Sequence, residues 1–147
     1  MTVDLWLAIA HHLLAFALLG LLVAEAATLG RETTSAQVRR LGVLDAAYGA
    51  SAAALIAVGI GRVAFGIKGW DFYAENPWFW AKIATFAAVG LTSIGPTLAI
   101  SRWRRRLKRE PESRPDPQDW ARARRLVLLQ LVLFPLIPAF AAAMARA

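Results

Sequence analysis

Four apolar segments dominate this sequence: about Leu5–Ala27, Leu41–Gly66, Trp78–Ile100 and Leu126–Ala145. A helix needs roughly 20 apolar residues to cross a hydrocarbon core, and each segment approaches or exceeds that length. Inside a bilayer the backbone must satisfy its own hydrogen bonds, so segments of this kind fold as helices. The alternating pattern of barrel strands is missing. The chain has 147 residues, 58% of them hydrophobic, with a mean hydropathy of +0.47. That is too apolar for an ordinary soluble domain, and about the size of one domain. The expectation is an all-α integral membrane four-helix bundle, a single transmembrane domain over residues 1–147. The first segment lacks the basic start of a signal peptide and is read as the first helix. The absence of cysteine excludes disulfides, thiolate metal sites and thiol catalysis.

The charges orient this bundle. The loop after the first segment carries Arg31, Arg39 and Arg40 against Glu32, a net of +2. The second loop carries Lys68 against Asp71 and Glu75, a net of −1. The basic loop 101–125 has ten basic residues against Glu110, Glu112, Asp116 and Asp119, a net of +6. Lys and Arg collect on the cytoplasmic side of membrane proteins, so the first and third loops are expected inside and both termini outside. The formal net charge of +7 therefore reflects topology and attraction to anionic lipid, not nucleic-acid binding.

Local signals place the helix ends. Asn76–Pro77 and Asp116–Pro117 each combine a side chain that caps free N–H groups with a proline at the first helical position. Gly30 is expected to close the first helix in a left-handed conformation. Thr34 or Ser35 starts an amphipathic lead into the second. Trp70, Trp78 and Trp80 mark the outer boundary, and Trp103 and Trp120 the inner one. Pro96, Pro135 and Pro138 should bend their helices and free carbonyls. Gly49, Ala53, Ala57 and Gly61 recur every four residues, a spacing suited to close packing inside the bundle or to a homodimer.

Ionisable residues inside apolar segments are costly, and they usually face the protein interior or mark a site. Two layers of them appear. At a rise of about 1.5 Å per residue, His11, His12, Arg62 and Lys82 fall in the outer half of the bilayer. Glu25 and Asp45 fall near the inner face, with Tyr48 a turn later. Arg39 and Arg40 are close enough in sequence to pair with these carboxylates as an interhelical lock. A helix turns about 100° per residue, which puts His11 and Glu25 on one face of the first segment. Tyr48 and Arg62 share a face of the second in the same way. Gln130 is placed to hydrogen-bond a neighbouring helix.

Several chemistries can use the outer layer. A haem needs an axial ligand, an apolar slot and cations for its propionates. His11 or His12 can supply the ligand, Lys82 and Arg62 the cations, and Met144 is a distant candidate for a second ligand. Copper is an alternative, although neighbouring helical positions diverge. Proton transfer through His11, Tyr48, Glu25 and Asp45 is a third. No nucleophilic triad, phosphate loop or paired catalytic carboxylates occur.

The strings HHLLAFALLGLLVAE, RRLGVLDAAYG and GRVAFGIKGWDFYAENPWFWAKIATFAAVGL resemble a bacterial family of small four-helix membrane proteins, domain of unknown function 2214. The resemblance covers nearly the whole chain and implies a multi-pass protein of the bacterial inner (plasma) membrane. More distantly the chain resembles HemJ-type protoporphyrinogen oxidases, membrane proteins that bind haem b. Those carry a first-helix histidine, an arginine-rich start to the second helix and an A-K pair entering the third. Here these features correspond to His11 or His12, Arg39–Arg40 and Ala81–Lys82. Thr92 and Ser93 stand where that family has a later histidine. This resemblance implies haem b held by His12, with His11 as the alternative, and an oxidoreductase. The sequence thus leads to a haem- or porphyrin-binding membrane protein with a redox role. The rival is a non-enzymatic proton-coupled carrier subunit or a structural dimeric bundle. Neither reading identifies a redox partner.

Overall fold

The computed structural model describes residues 2–146, and the expected domain ends Met1 and Ala147 lie outside the described residues. The regular elements among the described residues are helices: α1 (Thr2–Leu29), α2 (Ser35–Phe65), α3 (Gly69–Ala74), α4 (Pro77–Arg109), α5 (Pro117–Leu133) and α6 (Leu136–Arg146). α1, α2, α4 and the α5–α6 pair are each long and apolar enough to cross a membrane. α1 packs on α2 and α5, and α4 packs on α2, α5 and α6, so the four spans form a ring. They run alternately up and down. Asp4 lies beside Gly66, and Asn76 Nδ2 donates to the Met144 carbonyl at 3.4 Å, which gathers the start of α1, the end of α6 and α3 at one end of the bundle. The arginine-rich connections form the other end.

The helix boundaries follow the capping chemistry. Thr34 accepts from Gln37 N, Asn76 from Trp78 N, and Asp116 from Gln118 N and Asp119 N. α4 continues past Ile100 to Arg109, and α5 begins nine residues before Leu126. Arg and Lys are good helix formers, so leaving the apolar core does not end a helix. Gly30 donates to the Ala26 carbonyl without taking a left-handed φ. The glycine that needs one is Gly69, at φ 73°, where the chain turns into α3, a short helix the apolar pattern did not signal.

The prolines act differently in the two spans that hold them. α4 runs unbroken through the buried Pro96. The fourth span breaks at Phe134–Pro135. Pro138 has no N–H to return to the Phe134 carbonyl, which accepts instead from Ile137 N at 3.0 Å, in a tighter turn.

The core is a narrow seam. α1 contributes Leu18, Leu22, Glu25 and Leu29, spaced three and four residues apart along one face. Leu41 and Leu55 of α2, Ile100 and Trp103 of α4, and Val127 and Phe134 of the fourth span meet it. The opposite faces are also apolar, with Leu13, Phe16 and Val23 exposed, as expected where lipid replaces water. Gly61 packs on Leu7, but Gly49, Ala53 and Ala57 face outward. The small-residue stripe of α2 is thus split: Gly61 serves packing within the bundle, and the exposed Gly49, Ala53 and Ala57 stay open to lipid or a second copy.

Trp70, Trp78 and Trp80 are exposed at the end that holds the termini, as a boundary belt should be. Trp103 and Trp120 are not exposed. Their rings lie 5.2 Å apart inside the bundle, and Trp120 Nε1 donates to the Leu29 carbonyl at 3.0 Å.

Candidate functional site

The polar residues of the spans form two clusters on the inner side of the ring. The first lies towards the arginine-rich end. Glu25 is 2% exposed, and its Oε1 is buried without a hydrogen-bond partner. Asp45 and Tyr48 of α2 lie within electrostatic reach of it. The Asp45 carboxylate accepts from Thr97 Oγ1 of α4 at 2.6 Å. Tyr48 OH donates to Gln130 Oε1 of α5 at 3.0 Å, and the Gln130 amide donates to the Leu126 carbonyl at 3.4 Å. All four spans thus contribute a polar side chain to one buried cluster. Proton-bearing groups recur in it: two carboxyls, a phenol and a hydroxyl.

The expected lock between these carboxylates and Arg39 or Arg40 does not form. Val38 and Leu41 are the buried residues of that turn, which turns the two arginines outward. The cation near Asp45 is Arg104 of α4, whose side chain lies over Gly42. The salt bridges among the described residues are Arg102–Asp119 at 3.6 Å and Arg106–Glu110 at 3.4 Å, both at the exposed arginine-rich end. Glu25 has no cationic partner among them.

A cavity of about 150 Å³ reaches this cluster from between α2 and α4. Tyr48 and Thr97 line it, and Gly49, Ala52 and Gly90 leave it room by having small or no side chains. The polar groups bonded to Gln130 and Asp45 therefore border open space near the middle of the bundle.

Removing the phenol oxygen tests the cluster. Tyr48→Phe should lower stability in detergent by about 1 kcal/mol, within the range for a hydrogen bond between membrane helices. Thermal unfolding of the purified protein measures this, and an unchanged midpoint would mean that the bond adds nothing to the bundle.

The second cluster lies towards the termini. His11 is half-buried and faces α2, where a Cβ at Gly59 would stand 3.5 Å from its Cε1. Its Nδ1 is buried without a partner, as is Arg62 Nε. Lys82 of α4 is half-buried, with Nζ 5.3 Å from the Phe79 ring centre. Both basic residues lie within electrostatic reach of His11. The two-face pattern read from the sequence holds. His11 and Glu25 both point inward from α1, and Tyr48 and Arg62 both do so from α2.

His12 does not join them. It is exposed on the outer face of α1, its Nδ1 is 2.7 Å from the Ala8 carbonyl, and its ring stands at 83° to that of His11. Consecutive helical residues diverge by about 100°, so only one of the pair can face inward. This geometry does not fit a haem held by His12 with Lys82 and Arg62 on its propionates, because the His12 ring faces outward while the cations lie near the inward-facing His11. A pocket for such a group runs to about 300 Å³ or more. The cavities of about 150 and 200 Å³ are lined by neither His11 nor His12. Nor do the described residues bring together three or more His, Asp or Glu side chains suited to a metal ion.

Thr97 and Arg104 are the members of these clusters that the sequence did not single out. Thr97 is an ordinary polar residue next to Pro96, and Arg104 is one of a run of arginines with no mark to set it apart.

Residues 3–147 match the family described as predicted membrane protein, DUF2214, and the chain belongs to that family. No curated protein and no solved structure matches it.

Proposed function

We propose that this DUF2214 protein is a non-enzymatic, proton-coupled membrane carrier or carrier subunit, with Glu25 as its proton-binding group. The observation that carries this reading is the buried carboxyl of Glu25 on the inner side of the four spans, with one oxygen unpartnered and no salt bridge among the described residues. A charged carboxylate at such a place is costly, and residues of this kind mark ion or proton pathways in membrane proteins. The competing use, a structural ion-pair lock, requires a partner cation, and Arg39 and Arg40 point away. Asp45, Thr97, Tyr48 and Gln130 extend the polar path, and the cavity beside Tyr48 and Thr97 supports access to it. His11 stands at the other end of this polar stripe, towards the termini, and is not needed for proton binding at Glu25.

The experiment is reconstitution of the full chain into vesicles holding a pH-sensitive dye, with a potassium diffusion potential as the driving force. Proton entry should run faster than in protein-free vesicles. Equal rates over a range of pH and potential would sink the proposal.

The charge distribution supports an orientation with the termini outside the bacterial inner membrane. Reporter fusions at Ser35 and Ser113 should then register cytoplasm, and a fusion at the C-terminus the periplasm. The opposite pattern would overturn this orientation and place Glu25 towards the periplasmic face.

A further inference from the structure

Proton binding at Glu25 makes no use of the basic cluster at the other end of the stripe. There α1, α2 and α4 each contribute one nitrogen-bearing side chain: His11, Arg62 and Lys82. Arg62 and Lys82 lie within electrostatic reach of His11, and Arg62 within reach of Lys82. None of the three joins a salt bridge among the described residues. Asp4 lies close by at Gly66, one turn beyond Arg62, and makes no ion pair with it. The cluster therefore combines like charges with two buried polar atoms, His11 Nδ1 and Arg62 Nε, that have no hydrogen-bond partner.

Buried polar atoms in native proteins are nearly all paired, and like charges repel more strongly away from bulk water. An anion seated between the three side chains relieves both conditions. The donors come from three different helices, so they converge from three directions. A tetrahedral phosphate directs its oxygens out of one plane, three or more of them free in inorganic phosphate and two in a phosphodiester headgroup, whereas a carboxylate holds its two in a single plane. The guanidinium of Arg62 suits a phosphate in a forked arrangement, and Lys82 adds a mobile point charge. Depth also fits. Arg62 stands three residues from the end of α2 and Lys82 five from the start of α4, about 5–8 Å inside the helix ends. The exposed Trp70, Trp78 and Trp80 mark the same end, where aromatic side chains sit at headgroup level.

We propose that His11, Arg62 and Lys82 form a binding site for a phosphate oxyanion, carried by an anionic lipid headgroup or by free phosphate. The site does not depend on proton movement at Glu25, and each can fail without the other.

Thermal unfolding of the full chain in a neutral detergent tests it, with phosphatidylglycerol, phosphatidylcholine or inorganic phosphate added in turn. The midpoint should rise saturably with phosphatidylglycerol or with phosphate and not with phosphatidylcholine. A response to the lipid alone identifies a headgroup, and a response to phosphate alone identifies the free anion. The double variant Arg62→Gln/Lys82→Gln should weaken the apparent affinity at least about tenfold, the loss expected for charged hydrogen bonds. A control with Arg105→Gln and Arg109→Gln, at the far end of the bundle, should keep the response. If the double variant loses its helical circular dichroism, Lys82→Gln and His11→Gln singly replace it, each with a weaker response than wild type. No rise with either anion, or a rise unchanged in the cluster variants, overturns the proposal.

Discussion

Glu25→Gln is expected to abolish most of the proposed proton-driven flux and to leave the bundle folded. The substitution keeps the shape and hydrogen-bonding capacity of the side chain and removes its ability to exchange a proton. Breaking a buried ion pair usually destabilises a protein, because it strands the remaining charge. That penalty does not apply here, since Glu25 has no cationic partner among the described residues. The melting temperature in detergent should therefore stay near that of wild type. Flux in the vesicle assay should fall by about a hundredfold, the lower end of the range for removing a positioned acid or base. Asp45→Asn should have a smaller effect. Asp45 is only half-buried and already accepts a hydrogen bond from Thr97. Wild-type flux in Glu25→Gln would show that protons take another route. A large drop in melting temperature would instead make Glu25 a structural residue.

The sequence made the architecture legible because one physical constraint governs it. A long apolar segment in lipid must be a helix. Asn76–Pro77 and Asp116–Pro117 gave two helix starts to the residue, because capping chemistry is local. The left-handed end expected at Gly30 does not form, and the small residues of α2 suit both packing and a second copy, for a shared reason. A glycine can end a helix in more than one way, and a small residue can face a neighbour or the lipid. The sequence period does not say which face of α2 meets α4. The same limit explains the polar clusters. Helical phase placed His11 with Glu25 and Tyr48 with Arg62, since both are relations within one helix. It did not place Arg104 over Gly42 or Thr97 on Asp45, which depend on how α2 and α4 lie against each other. In lipid, a residue next to a carboxylate in sequence, such as Arg39 or Arg40, gains as much by reaching the interface as by turning inward.

Trp120→Ala is expected to have the largest effect on stability, about 3–5 kcal/mol, as for other truncations of a buried tryptophan. The residue is 7% exposed, and its ring lies tilted against that of Trp103 of α4 at 5.2 Å. Its Nε1 donates to the carbonyl of Leu29, the last residue of α1. The final carbonyls of a helix lack partners within it, so this indole both caps α1 and ties α5 to it. Trp120→Phe keeps most of the ring and loses the donor, and should cost about 1 kcal/mol beyond the lost area. Denaturant midpoints in detergent separate the two contributions. If Trp120→Ala unfolds within about 0.5 kcal/mol of wild type, as a neutral surface change would, then other contacts hold this end together. The joint also bears on the proton site. Glu25 lies four residues, one helical turn, before Leu29. Loosening α5 from α1 there should admit water to the buried carboxyl, so Trp120→Ala should raise proton leak in the absence of a driving potential. The double variant with Glu25→Gln separates the two origins of such a leak. If the leak runs through Glu25, the second substitution suppresses it. If the leak persists, it follows a gap between loosened helices.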